Sequence, residues 1–113
     1  MLTVEALRAF GANVDEGLQR CMDNEAFYLK MVQKLTEDDT YQRLQEALEA
    51  KDLDGAFEAA HALKGVHANL AMTPIFQPLH EMTELLRSRT DMDYTELLEQ
   101  ILTKKEELKK LCE

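Results

Sequence analysis

The 113 residues contain no tryptophan, two cysteines, two prolines and four glycines. Cys21 and Cys112 lie far apart, with no CxxC pair and no Cys/His cluster, which excludes a disulfide framework and a zinc site; both are expected to be reduced thiols. Proline occurs only at Pro74 and Pro78, and the one hairpin-type dipeptide, Asp54-Gly55, falls inside a helical pattern, so β-hairpins are not expected. No uncharged apolar run approaches the length of a membrane span. The start, Met1-Leu2-Thr3-Val4-Glu5, has neither the basic residues nor the apolar core of a signal peptide, so a cytoplasmic location without membrane association is expected. Cations are also scarce: 13 Lys and Arg stand against 22 Asp and Glu, a net charge of −9. That balance argues against nucleic acid as a partner, because phosphate backbones are held by clustered Lys and Arg.

With 45% hydrophobic and 31% charged residues, the chain has the balance of a globular protein that buries one core, and its length predicts a single domain over residues 1–113. Apolar residues recur with helical spacing at Phe27, Tyr28, Met31, Val32 and Leu35, and at Tyr41, Leu44, Ala47 and Leu48. The spacing returns at Leu53, Ala56, Ala60, Leu63, His67 and Leu70, at Leu79, Met82, Leu85 and Leu86, and at Tyr94, Leu97, Leu98, Ile101 and Leu108. Start signals match these runs: Asp23 or Asn24, Asp38 or Asp39, Asp52, Thr73-Pro74 as N-cap and first helical residue, and Asp93 with Glu96 as a capping box. The fold expected is all-α: an up-and-down antiparallel four-helix bundle with short additional N-terminal helices, Thr3 to Phe10 and Val14 to Met22, covering one end. Pro78 lacks the N–H that would bond back to residue 74, so its helix is expected to kink there or to become regular only afterwards.

The chemistry lies in Ala59 to Leu70. Projected at about 100° per residue with His61 at zero, Leu63, Val66 and Leu70 fall at roughly 200°, 140° and 180°, and Ala56 and Ala59 near 220° and 160°. The core face is therefore opposite His61, which points outward. Around it lie Lys64 at roughly −60°, Gly65 at 40°, Ala68 at −20° and, if the helix reaches that far, Met72 at 20°. Glycine inside a helix is about 1 kcal/mol worse than alanine, and a solvent-facing position gives no packing reason for it. Small residues one and two turns beyond the histidine instead let another protein's surface approach the ring. Lys64 supplies a mobile positive charge for an anion carried there, such as a phosphoryl group. An exposed neutral imidazole is a competent nucleophile without a catalytic triad.

The segment Ala60-His61-Ala62-Leu63-Lys64-Gly65-Val66-His67-Ala68-Asn69-Leu70-Ala71 resembles the signature of the histidine phosphotransfer (HPt) domains of bacterial and fungal phosphorelays, approximately A-H-x-L-K-G-x-x-x-x-L-G. The resemblance extends over nearly the whole chain, since the family is a helical bundle of about this length with the histidine on a long central helix. It implies that His61 carries the phosphoryl group on Nε2, that Lys64 stabilises it, and that Gly65 and Ala68, with Met72, keep the approach open for a receiver domain. It implies no cofactor of the chain's own, Mg²⁺ in the partner receiver domain, and receiver domains of response regulators or hybrid kinases as partners. A monomer is expected, because one exposed histidine must meet successive partners on the same face. Three positions depart from the family pattern. The signature's last glycine is Ala71, Pro78 interrupts the following helix, and the polar or acidic residue expected on that helix is Thr83. Thr83 reaches the ring less readily than Glu or Gln, leaving Glu84 as a substitute or none.

Other readings compete. His67, near 240°, is expected to be a packed or hydrogen-bonded structural residue rather than a second acceptor. His80 stands near the site only if its helix packs alongside; a surface or capping role is the default. Glu58-x-x-His61 matches half of a four-helix di-iron motif, but Gln77-x-x-His80 is a poor second half and the histidine faces outward, so no metal site is expected. The alternative from a different class is a non-catalytic helical adaptor or inhibitor that binds receiver or kinase domains. A pure adaptor has no physical need for the His61 and Lys64 pair.

Overall fold

The computed structural model describes all residues, 1–113, and consists of seven helices without strands. They are α1 (Val4–Phe10), α2 (Val14–Arg20), α3 (Glu25–Leu35), α4 (Thr40–Glu49), α5 (Leu53–Asn69), α6 (Thr73–Arg87) and α7 (Thr95–Leu111). Polar side chains start most of them by accepting otherwise unpartnered N–H groups. Thr3, Asn13, Asn24 and Asp52 accept from the N–H groups of Ala6, Glu16, Phe27 and Gly55. At α4 the acceptor is Asp38, which takes both the N–H and the hydroxyl of Thr40, while Asp39 holds the N-cap position without a side-chain bond.

Helices α4 to α7 form the up-and-down bundle, with α5 packed between α4 and α6 and with α7 on α6. Two ion pairs cross between the antiparallel α5 and α6: Asp54 with Arg89 at one end, and Lys64 with Glu84 further along. Ala56, Ala59 and Ala60 are buried, and their small side chains let the neighbouring helices come close. Around them Leu44, Leu63, Ile75, Leu79, Met82, Leu86, Ile101 and Leu108 are almost fully enclosed, within one continuous core that takes residues from all seven helices.

The N-terminal helices lie against one end of this bundle. Gly17 of α2 is buried where a Cβ would meet Cε1 of Tyr28 at 2.5 Å, so only glycine lets α2 rest on that ring. The Tyr28 hydroxyl in turn donates to the carbonyl of Leu70 (3.0 Å), just past α5. Arg20 donates to the carbonyl of Ala68 (3.0 Å), so the C-terminal end of α5 has both partners for its free carbonyls and a cation opposite its dipole.

Several expectations need correction. Helix α6 begins at Thr73, not after Pro78; Met72 is its N-cap, Pro74 lies in its first turn, and Pro78 sits inside it, buried. The last helix begins one residue later than the proposed capping box allows: Asp93 accepts from the N–H of Thr95 (2.9 Å), with Tyr94 at the N-cap. The buried face of α5 is rotated from the projection. Val66 is 40% exposed while His67 is fully enclosed, so the face centres nearer His67 than Val66, by some tens of degrees at about 100° per residue. Finally, α5 stops at Asn69 and Ala71 turns left-handed (φ 58°), which carries Met72 into the core instead of along the outer face.

Candidate functional site

His61 lies on the solvent side of α5, near the middle of the helix. Its ring stacks nearly parallel on Phe57, one turn earlier, with centroids 5.4 Å apart and planes 15° from each other. Side chains on a helix lean toward its N-terminus, which is why an i, i+4 pair meets in this way. Two guanidinium groups lie over the Phe57 ring, Arg87 at 5.2 Å and Arg89 at 4.9 Å from its centroid. Arg89 is fixed by Asp54, which accepts from its Nε at 2.6 Å, and by the carbonyl of Leu86, which accepts from Nη1 at 2.7 Å. Its backbone is left-handed (φ 51°), a conformation that costs a non-glycine residue about 1–2 kcal/mol.

Lys64 is one turn further along α5 and pairs with Glu84 of α6 at 3.6 Å; the other oxygen of Glu84 meets Nε of Arg87 at 3.4 Å. Desolvation pushes the Glu84 carboxyl up, but the charge and hydrogen bond of Arg87, with Lys64 and His80 behind them, outweigh it and hold the group below its ordinary value. Glu84 is thus an ionised bridge between two cations beside His61. Gly65 is open: a Cβ placed there would meet nothing within 4 Å. Ala68 continues that opening, half-buried, one turn on.

Of the other residues named from the sequence, two are turned into the core and one is stacked on a neighbour of its own helix. Met72 is fully buried, for the reason given above, and lines no approach to the ring. Thr83 is also fully buried, its hydroxyl donating to the carbonyl of Leu79 at 2.6 Å, so it lies inside the core while His61 is at the surface. His80 is exposed on α6, but its ring stacks on Phe76 at 5.7 Å.

His67 has a separate, internal role. Nδ1–H donates to the carbonyl of Leu63 (2.7 Å), so Nε2 is left to accept from the Tyr41 hydroxyl. The two rings meet edge to face at 5.6 Å. Burial pushes the imidazole down to about 4 and the Tyr41 hydroxyl up, which keeps both neutral near pH 7.

Sequence reasoning missed Phe57, Arg87 and Arg89. The i, i+4 spacing of Phe57 and His61 was a usable signal. The arginines carried none, because they reach Phe57 only through the register of α6 on α5.

No curated protein and no solved structure matches the chain at a significant level. A family model described as Hpt domain matches residues 30–113, from within α3 to the end of the chain. That span takes in the whole α4 to α7 bundle together with the outward histidine, its lysine and the open glycine, and the chain therefore belongs to the histidine phosphotransfer (Hpt) domain family.

Proposed function

We propose that His61 relays a phosphoryl group between aspartates of receiver domains in two-component signalling. The observation that carries this reading is the exposed imidazole beside the unobstructed Gly65, with Lys64 one turn away. The Nε2 lone pair attacks the phosphorus of an aspartyl phosphate in line, forming an N–P bond as the acyl phosphate P–O bond breaks. The aspartate leaves as a free carboxylate. The positive charge on the phosphorylated ring rests with the Nδ1 proton, which the ring retains or releases to water. Transfer to the second receiver is the reverse reaction with a new aspartate.

Within this cycle the chain positions the nucleophile and offers charge, and it needs no nucleotide site of its own. Lys64 leaves Glu84 in part to meet the phosphoryl oxygens, and Gly65 and Ala68 admit the receiver surface. Mg²⁺ held by the receiver, not by this chain, would supply the remaining charge neutralisation. The protein acts in the cytoplasm as a monomer that meets one partner at a time. The burial of Thr83 favours the runner-up, a non-catalytic adaptor, because no side chain hydrogen-bonds the His61 ring as a family member's polar residue would.

Incubation with a set of phosphorylated receiver domains tests the reading. Acid-labile, base-stable label is expected on the wild type and not on His61→Gln. A receiver that binds without labelling the wild type would replace the relay with the adaptor.

A further inference from the structure

We infer that Phe57 is a positioning residue for His61: its ring, held by Arg87 and Arg89, sets the orientation in which the imidazole meets phosphorus. This rests on His61 being the acceptor, as proposed above. An in-line displacement needs the Nε2 lone pair along one direction, yet an exposed histidine on a helix has more than one open rotamer. The imidazole hydrogen bonds within the chain all belong to His67, and Thr83 is fully buried, so no hydrogen bond does this work for His61.

The stack is suited to the task. Ring nitrogens carry their lone pairs in the ring plane, so a parallel neighbour covers a face of the imidazole and leaves its nucleophilic edge clear. An edge-to-face neighbour, like Tyr41 against His67, can instead engage that edge.

Phe57 is itself constrained. Arg89 over its ring is tied to Asp54 at the start of α5 and to the end of α6, where its left-handed backbone closes the helix through the N–H groups of Arg89 and Thr90. Arg87 over the same ring is tied to Glu84, and through Glu84 to Lys64. The chain holds a second Phe-x-x-x-His stack, Phe76 with His80, at nearly the same separation and angle. The cations that lie over aromatic rings are at Phe57 and Tyr41, so the pair on α6 has the stack without the clamp.

The test uses the full chain with Phe57→Leu and Phe57→Tyr, and measures single-turnover transfer from one phosphorylated receiver domain across receiver concentrations. The leucine variant should lose about three- to tenfold in the saturating rate, the scale of an aromatic pair. Its half-saturating receiver concentration should not change, and tyrosine should restore the rate. In proton NMR the ring C–H signals of His61 should sit upfield in the wild type and Phe57→Tyr, and return to unstacked values in Phe57→Leu. An unchanged Phe57→Leu rate with a labelled wild type overturns the positioning role alone. A loss confined to half-saturation overturns it too, making Phe57 a docking contact. No label on the wild type overturns the acceptor role and the positioning role together.

Discussion

Tyr41 donates its hydroxyl to Nε2 of His67, joining α4 to α5 by a hydrogen bond between two buried rings. With Nδ1–H on the Leu63 carbonyl, both nitrogens of His67 are satisfied only in the neutral form. Folded His67 takes a proton at about 4, whereas an unfolded histidine does so at about 6.5. Between these values the unfolded chain binds more protons, so stability is full above about 6.5, falls as pH drops through the window and levels below about 4. The loss is on the order of 3 kcal/mol across the whole window. Urea unfolding at pH 7 and pH 5 should show a large drop in midpoint for the wild type and a smaller one for His67→Gln. Equal drops would remove His67 as the titrating group.

Gly65 gives up helix stability at a position with no packing neighbour. Gly65→Ala should raise stability by about 1 kcal/mol, or roughly 4–8 °C in Tm, because alanine fits the open space and favours the helix. Gly65→Gln should keep most of that gain but block transfer from a receiver by filling the clearing. A calorimetric scan and the labelling assay on the same two variants separate the effects. A Gly65→Gln variant that transfers normally would show that the open space is not used.

Ala71, where the signature has glycine, holds a left-handed backbone at the turn between α5 and α6. Ala71→Gly relieves backbone strain of about 1 kcal/mol, partly offset by the loss of a buried methyl group. A modest rise in the urea midpoint is expected, with Met72 still buried and transfer unchanged. A fall in midpoint would mean that the methyl contributes more than the strain costs.

Glu84 competes with any anion on His61 for the ammonium group of Lys64. Glu84→Gln should increase the fraction of phosphorylated protein at equilibrium with a receiver, by about two- to fivefold as a partly exposed charge is removed. Lys64→Ala should lower that fraction. The pair is open to solvent, so neither substitution should move the unfolding midpoint much, and raised salt should narrow the difference between them.

The helical fold was legible because apolar spacing and caps agree along the chain: Asn24, Asp38 and Asp52 each mark a real start. The outward position of His61 was legible for the same reason, being opposite Ala59 and Leu63. Finer placement failed where the sequence gives no physical marker. On an alanine-rich helix the projection put Val66 on the core face and His67 near 240°, whereas it is His67 that is enclosed, with the Tyr41 hydroxyl as its partner. Met72 was misplaced because a left-handed alanine ends α5 without the glycine that usually announces such a turn. The Phe57, Arg87 and Arg89 cluster depends on how two helices align across a turn, which periodicity within either helix does not specify.

Helix α5 is fastened at both ends. Asp54 and Arg89 tie its first turn to the end of α6, and Tyr28 and Arg20 take the carbonyls at and just past its last turn. A helix tied at both ends cannot swing as a lever about either one, and His61 lies between the ties. If His61 relays phosphoryl groups as proposed, it should present nearly the same surface to each receiver, and the adjustment of shape between one encounter and the next should fall to the receiver.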